Sequence, residues 1–353
     1  MDTWFSKKIL KWYQNNERNL PWRNQKDPYK IWLSEIILQQ TQVNQGLDYY
    51  NRFVAKYPNV TKLAKAPQDE VLKLWEGLGY YSRARNLHES AKIIVSDYNA
   101  IFPRSHSEIK ALKGIGDYTA AAIASFAFDL PYAVVDGNVY RLLSRVFGIR
   151  TAIDTSPAKK VFFTLAQSLL DKKKPATHNQ AIMEFGSQYC KPVNPNCACC
   201  IFSDKCFAFN NNLVSQLPLK LKKTKIKDRY FNYLVIVDKS GNVLINKRSN
   251  NDIWKGLYEF CLLETKSAAS LPQVLNEINV KNLLKSHFGI KHASKTYKHV
   301  LSHQHLHTTF YVITVSRNFM PSQTKVNLNA IKKIAFPRLI SKFLNEYDLK
   351  KIL

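Results

Sequence analysis

Leu112-Lys-Gly114-Ile-Gly116-Asp-Tyr118-Thr119 lies between two runs with helical periodicity, Ser107 to Leu112 and Tyr118 to Phe128. Gly114 and Gly116 allow a tight turn and a close approach to a partner. Amides opening the second helix would then be free to grip an anion, with Thr119 in that first turn. A plain connection that uses glycine to stop a helix is the other reading. Composition bears on the choice. The 353 residues carry 52 Lys and Arg against 26 Asp and Glu, a net +26. Apolar residues make up 45% and aromatics 12%, which describes a folded chain rather than a basic tail. Such an excess draws a polyanion, and the glycine loop then reads as a grip on a nucleic-acid backbone that positions without reading sequence. A membrane partner is disfavoured: no run approaches ~18 apolar residues, and Met1 to Trp22 lacks the apolar stretch of a signal peptide. A soluble, cytoplasmic protein is expected.

The length suffices for two domains with full cores. Upstream of residue 210 apolar residues recur at three and four, as in Val71, Leu72, Leu74 and Trp75, or Val139, Leu142, Leu143, Val146 and Phe147, so this half is mainly α. A lysine-rich stretch with little periodicity, 210–229, reads as a linker. Beyond it, Tyr230 to Asp238 and Val243 to Arg248 read as strands about a turn, His307 to Ser316 as another strand, and Leu275 to Phe288 as a helix. The expected organisation is a helical domain over 1–209, a linker over 210–229 and an α+β domain over 230–353.

Cys190, Cys197, Cys200 and Cys206 fall at Cys-x6-Cys-x2-Cys-x5-Cys, just before the composition changes. Thiolates so close in sequence can converge on one soft centre, either an iron–sulfur cluster or a structural zinc ion. Cys199 lies inside the loop and could compete as a ligand, while Cys261 reads as an ordinary thiol.

Two acids stand in unusual surroundings. Glu35 sits in the apolar run Ile31-Trp-Leu-Ser-Glu35-Ile-Ile-Leu38. A carboxylate there either faces solvent on a polar stripe, pairs, or keeps its proton as a general acid. Asp136 follows Ala133-Val-Val and precedes Gly137-Asn138 at the start of a helical pattern. It reads as a helix N-cap that could also lie at the mouth of a site and favour a developing cation.

Taken together, the hairpin, Ser34-Glu35-Ile-Ile-Leu-Gln-Gln40-Thr-Gln42, Gly77-Leu-Gly-Tyr80-Tyr-Ser-Arg-Ala-Arg-Asn86, Val135-Asp-Gly-Asn138 and the cysteine loop resemble the helix-hairpin-helix DNA glycosylases. Leu20-Pro-Trp-Arg23 and the added C-terminal domain point within them to the MutY-type adenine glycosylases. The resemblance implies a [4Fe–4S] cluster on Cys190, Cys197, Cys200 and Cys206. It implies a monomer acting on double-stranded DNA with adenine opposite 8-oxoguanine or guanine, the adenine flipped into a pocket between helical modules. Glu35 would protonate adenine at N7, Asp136 would stabilise the oxocarbenium ion, and Tyr118 and Asn138 would support the sugar and carboxylates. Arg23 and Gln180 would line the adenine pocket, with Gln40 and Tyr80 wedged in the base stack. Related enzymes that also cleave the strand carry Lys where this chain has Tyr118, and a phenol forms no Schiff base, so base excision alone is expected.

The C-terminal part resembles the family's Nudix-like module around Trp254-Lys-Gly-Leu-Tyr258 and Leu301-Ser302-His303. No Glu-rich Nudix box follows Gly256, which argues against pyrophosphatase activity. Ser302 and His303 match the family's oxoguanine-reading loop, in which Leu301 replaces Phe. His299, His303, His305 and His307 alternate without a neighbouring acid in sequence and read as surface or phosphate contacts rather than as a second metal site.

Overall fold

A computed structural model describes residues 3–221, 226–284, 288–316 and 323–352. The first part is helical, with α1 Trp4–Gln14, α2 Pro28–Leu38, α3 Val43–Lys56, α4 Val60–Lys65, α5 Gln68–Leu74, α6 Ser82–Asp97, α7 His106–Ala111, α8 Asp117–Phe128, α9 Gly137–Phe147, α10 Ser156–Leu169, α11 Pro175–Gln188 and α12 Phe207–Asn210. Among the described residues no helix is long and apolar enough to cross a membrane. The chain forms two compact units, one of Met1–Lys65 with Asn86–Lys222, the other of Ala66–Arg85 with Lys223–Leu353.

In the first unit, α2 begins where Asp27 accepts hydrogen bonds from the Tyr29 and Lys30 amides, with Pro28 preset at the first helical position. Seven successive residues, Ile31 to Ile37, are buried, so α2 is a central helix with no polar stripe. The hairpin forms as its glycines suggest. Ser105 caps α7 in a reciprocal capping box with Glu108, Gly114 turns at φ +78, and Gly116 caps α8. A Cβ on Gly114 would lie 2.8 Å from that of Asn86, so the turn demands glycine in both conformation and space. A second cluster joins α1, α9, α10 and α11 through Phe5, Ile9, Leu142, Leu143, Phe162 and Phe185, and Phe202 from the cysteine loop stacks on Phe5 at 4.9 Å.

The second unit is built on β1 Lys227–Val237, β2 Asn242–Leu244, β3 Asn246–Lys247, β4 Tyr258–Glu259, β5 Cys261–Thr265, α13 Leu271–Asn276, α14 Ile278–Leu284, β6 Phe288–Ala293, β7 Tyr297–Val300, β8 Gln304–Val315, β9 Lys325–Asn327, α15 Arg338–Glu346 and α16 Leu349–Ile352. The main sheet runs β6-β8-β1-β2-β9, with β5 also on β1 and β7 on β8. β1 and β8 pair in parallel from Lys227↔Gln304 to Val237↔Thr314. Both faces of β1 are covered. Phe231, Tyr233 and Val235 pack with Phe260, Phe310 and Phe343, while Leu234 and Ile236 pack with Val274, Val280 and Leu284.

Three expectations from the sequence are revised. Lys227 to Arg229, basic enough to pass for linker, open β1 because they pair with β8. The single strand expected over Val243 to Arg248 is two: after Leu244 the chain leaves the main sheet, and Asn246 and Lys247 pair with β4. The helix expected over Leu275 to Phe288 starts earlier, at a capping box on Ser270, and breaks where Glu277 is extended at ψ 134. Phe288 belongs to β6, paired with Val315, and 285–287 fall outside the described residues.

Helix α11 crosses the start of α9 at Gly186, where a Cβ would lie 2.9 Å from the Asn138 carbonyl oxygen and 3.0 Å from its carbon. Backbone cannot yield as a side chain does. Gly186→Ala is therefore expected to lower stability by about 1–3 kcal/mol in chemical denaturation. Gly137→Ala, with nothing within 4 Å of the new methyl, should stay within about 0.5 kcal/mol of wild type. Equal values for the two variants would contradict this crossing.

Candidate active site

The end of α2, the first turns of α8 and α9 and one face of α11 surround a cleft of about 680 Å³ in the first unit. Glu35, Tyr118, Asp136, Asn138, Arg23 and Gln180 all line it. Residues separated by up to 157 positions are thus gathered at one place.

Glu35 is 7% exposed, so the solvent-facing alternative is ruled out. The Tyr118 hydroxyl donates to its Oε2 at 2.8 Å. Burial lifts the Glu35 carboxyl to about 7, with the Tyr118 hydrogen bond opposing, the Asp136 charge adding and Arg23 opposing. Tyr118 is pushed well above the usual phenol value, first by its own burial and then by the two acids, so it stays neutral and can donate.

Asp136 is the N-cap of α9, as its position suggests, and it also faces the cleft. Its Oδ1 accepts from the amides of Asn138 at 2.9 Å and Val139 at 2.8 Å, and its Oδ2 from Asn138 Nδ2 at 2.8 Å. Burial holds this carboxyl above its ordinary value, and these N–H donors and Arg141 offset only part of that rise. The two acids therefore differ in kind. N–H donors and a helix N-terminus favour an anion at Asp136, whereas Glu35 meets a hydroxyl in an apolar wall and favours the acid.

Asn138 is held in turn. Arg141 Nη2 donates to its Oδ1 at 2.9 Å, and Arg141 Nε donates to the Cys190 carbonyl at 2.7 Å, joining the acid's support to the first cysteine. Deeper in the cleft Glu184, 1% exposed, accepts from Arg23 Nη2 at 2.5 Å and from Arg18 and Gln188. Arg23 also donates to the Tyr13 hydroxyl, which donates to Gln180 Oε1 at 3.1 Å. Glu184 and Arg18 escaped the sequence reading. Glu184 stands in an apolar frame of its own, Ala181-Ile-Met-Glu184-Phe, which with its place one turn past Gln180 was the available cue.

The other candidates lie at the rim of the cleft or outside it. Gln40 edges the cleft, exposed and left-handed at φ +55, a strained state for a residue with a Cβ. Thr119 is 2% exposed and accepts from Gln39 at 3.2 Å, so its side chain points inward and only its amide belongs to the helix opening. Tyr80, in the second unit, is left-handed at φ +46 and 45% exposed. Its hydroxyl hydrogen-bonds to that of Ser302, which lies in the turn with His303. Asp228 lies 2.7 Å from His307 Nε2 and 3.7 Å from His305 Nδ1, so the parallel pairing supplies an acid that the local sequence lacks.

Cys190, Cys197, Cys200 and Cys206 line one small cavity together with Arg145 and Phe202. Arg145 Nη1 lies 3.5 Å from the Cys190 sulfur, and the Phe202 amide 3.4 Å from that of Cys200. Cys199 is exposed and outside the cavity, its carbonyl accepting from the Tyr189 hydroxyl at 2.8 Å. Burial, then the neighbouring thiols, push Cys200 up to about 11 against the Phe202 amide. Among the described residues no group of three or more His, Cys, Asp or Glu side chains could hold a metal ion as positioned.

Residues 33–169 match the HhH-GPD superfamily of base excision DNA repair proteins, and residues 232–346 match the NUDIX domain. The chain is 34% identical over 350 residues to an adenine DNA glycosylase of Buchnera aphidicola subsp. Baizongia pistaciae, covering 97% of this chain and 96% of that protein. To the human adenine DNA glycosylase it is 40% identical over 215 residues, 58% of this chain and 39% of the human one. Among solved structures a thermostable thymine-DNA glycosylase superposes with a TM-score of 0.55 at 32% identity, over 59% of this chain and 95% of that one. An endonuclease III from a non-covalent DNA complex superposes at 0.52 and 22% identity, over 60% and 95%, which bears on the fold alone. With a relative aligned over nearly its whole length, a helix-hairpin-helix domain around a buried acid and a Nudix-like domain beyond it, this chain belongs to the adenine DNA glycosylases of base excision repair.

Proposed function

We propose that the protein excises adenine paired with 8-oxoguanine, or with guanine, from double-stranded DNA, as a monomer on the cytoplasmic nucleoid and without cutting the strand. The observation that carries the chemistry is the pair of unlike carboxyls in one cleft: Glu35 lifted to about 7 beside the Tyr118 hydroxyl, and Asp136 held by N–H donors. Adenine flipped into the cleft would receive the Glu35 proton at N7, which weakens the bond from N9 to C1′. That bond breaks, the sugar develops oxocarbenium character, and the Asp136 carboxylate stabilises it. Water adds at C1′ and gives its proton to the Glu35 carboxylate, which restores the acid and completes hydrolysis. Arg23, Gln180 and the fixed Glu184 offer donors and acceptors to the base. Tyr118 stands at the position of the strand-cleaving lysine and is engaged with Glu35, which leaves no amine there to attack the sugar.

Cys190, Cys197, Cys200 and Cys206 suit a [4Fe–4S] cluster, since they share a cavity next to Arg145, which would offset the thiolates' negative charge. When bound, such a group ties the loop together and supplies no step of the hydrolysis. In the second unit, Ser302 and His303 occupy an exposed turn, where short polar groups can meet the edge of the base opposite adenine; Ser302 is able to sense the N7 hydrogen that distinguishes 8-oxoguanine from guanine.

Single-turnover incubation with adenine opposite 8-oxoguanine, with and without alkali, tests the activity. Abasic product that breaks only after alkali is expected; equal breakage without alkali would contradict excision alone. Glu35→Gln should keep duplex binding and lose excision, while wild-type excision should fall as pH rises through about 7 and the acid ionises. The same shift links to stability. Because the folded acid holds its proton up to about 7 and the unfolded one releases it near 4.5, stability should decline across that interval, and the decline should be smaller in Glu35→Gln. A flat rate profile from pH 6 to 8 would remove Glu35 as the acid. For the cysteine loop, Cys200→Ser should lower bound iron, whereas Cys199→Ser should leave it at the wild-type level; iron loss confined to Cys199→Ser would overturn this ligand set.

A further inference from the structure

The turn that carries Ser302 and His303 is anchored by backbone on both sides. The Leu301 amide donates to the Gln304 carbonyl at 2.8 Å, and the Lys227 amide donates to the His303 carbonyl at 3.1 Å. Because β1 and β8 run parallel, Arg229 follows two residues beyond that anchor on the neighbouring strand. An arginine side chain has five N–H donors in a planar fork, and every one is engaged here. Nε donates to Glu264 Oε1 at 2.7 Å and Nη2 to Glu264 Oε2 at 2.7 Å. Nη1 and Nη2 donate to the two Asp252 oxygens at 2.9 and 2.8 Å. The remaining Nη1 donor reaches Gln304 Oε1 at 3.0 Å. The guanidinium lies 4.8 Å over the Phe231 ring, and the side chain is 11% exposed.

Asp252 is itself fixed from the other side by Arg248 Nη2 at 2.9 Å, and Arg248 also binds Glu259, which accepts from Tyr233 at 3.0 Å. The fork of Arg229 is therefore oriented by two carboxylates and a ring before it meets the loop. Gln304 takes the donor that is left, directly after the two exposed polar residues. A lysine here has the charge but a single nitrogen, unable to reach three acceptors in one plane.

We infer that Arg229 is a positioning residue for discrimination of the opposite base, setting the Leu301–Gln304 turn through the Gln304 amide so that Ser302 meets the base edge in one orientation. The inference rests on the proposed reading role of Ser302 and His303, and it adds a residue that touches neither the DNA nor the reacting atoms. The two carboxylates give the network its stability, and the bond to Gln304 transmits its rigidity to the turn. Losing that bond leaves the turn closed by backbone but free to rotate its side chains, which slows excision opposite 8-oxoguanine and not opposite guanine.

The test uses the full chain and the ratio of single-turnover excision rates, at subsaturating enzyme, for adenine opposite 8-oxoguanine and opposite guanine. Gln304→Met keeps length and removes the acceptor, while leaving Arg229 its carboxylates. It should lower the ratio about tenfold, the scale of one hydrogen bond to a charged group, with the melting temperature lowered by only a few degrees. Arg229→Lys should lower the ratio as far, and the double variant no further than either single one, the mark of two residues acting as one unit. Should Arg229→Lys fail to fold, Gln304→Met alone decides. A wild-type ratio in Gln304→Met, with a reduced ratio in Ser302→Ala, would overturn the role of Arg229 and leave the lesion-reading turn standing. Wild-type ratios in both would remove the reading role itself. Additive losses in the double variant would contradict a shared path.

Discussion

A carboxyl enclosed by an apolar helix, with a phenol as its hydrogen-bond donor, is the constraint around which the first unit is arranged. Glu35 cannot ionise cheaply where it sits, because burial outweighs the help of Tyr118 and raises it to about 7. Its wall is α2, buried along Ile31 to Ile37, and its donor comes from α8, whose first turn is fixed by the Gly114 to Gly116 hairpin. The segment that turns the chain between α7 and α8 thus also fixes the hydroxyl that meets the acid.

The second acid is controlled by a different device. Asp136 caps α9, and the amides it covers at that helix end oppose the upward pull of burial on its carboxyl at the edge of the cleft. α11 must pass close over that end, which Gly186 permits, and it delivers Glu184 and Gln180 to the same cleft. Arg141 then ties Asn138 to the Cys190 carbonyl, so the cysteine loop braces the start of α9 through hydrogen bonds. In the second unit an analogous economy appears in Arg229, whose donors bind Asp252, Glu264 and Gln304 at the opening of two parallel strands.

What the sequence disclosed was local: an acid framed by apolar neighbours, a cap before a helix, glycines between helices, cysteines at short spacing. Each has a physical signature within a few residues, and the buried acid, the cap and the glycine turn stand in the structure where they were expected. Pairings between distant segments had no such signature. Glu184 has an apolar frame but shows no partner until Arg18 and Arg23 reach it across more than 160 positions. Asp228 stands beside His305 and His307 only because β1 pairs with β8, and Glu277 ends α13 through a backbone turn that apolar periodicity does not record. Thr119 sits in the first turn of α8 with its side chain turned to the core, an orientation that the hairpin pattern does not record.

If Glu35 begins the proposed reaction as a neutral acid, its proton can be read without turnover. Infrared difference spectra between the protein and Glu35→Gln, recorded across pH 5 to 9, isolate the carbonyl stretch of this one carboxyl. A protonated carboxyl band should persist at pH 6 and disappear with a midpoint near 7. A band already lost at pH 6, with the midpoint at the ordinary value of 4.5, would show Glu35 ionised in its cleft and contradict its role as the acid.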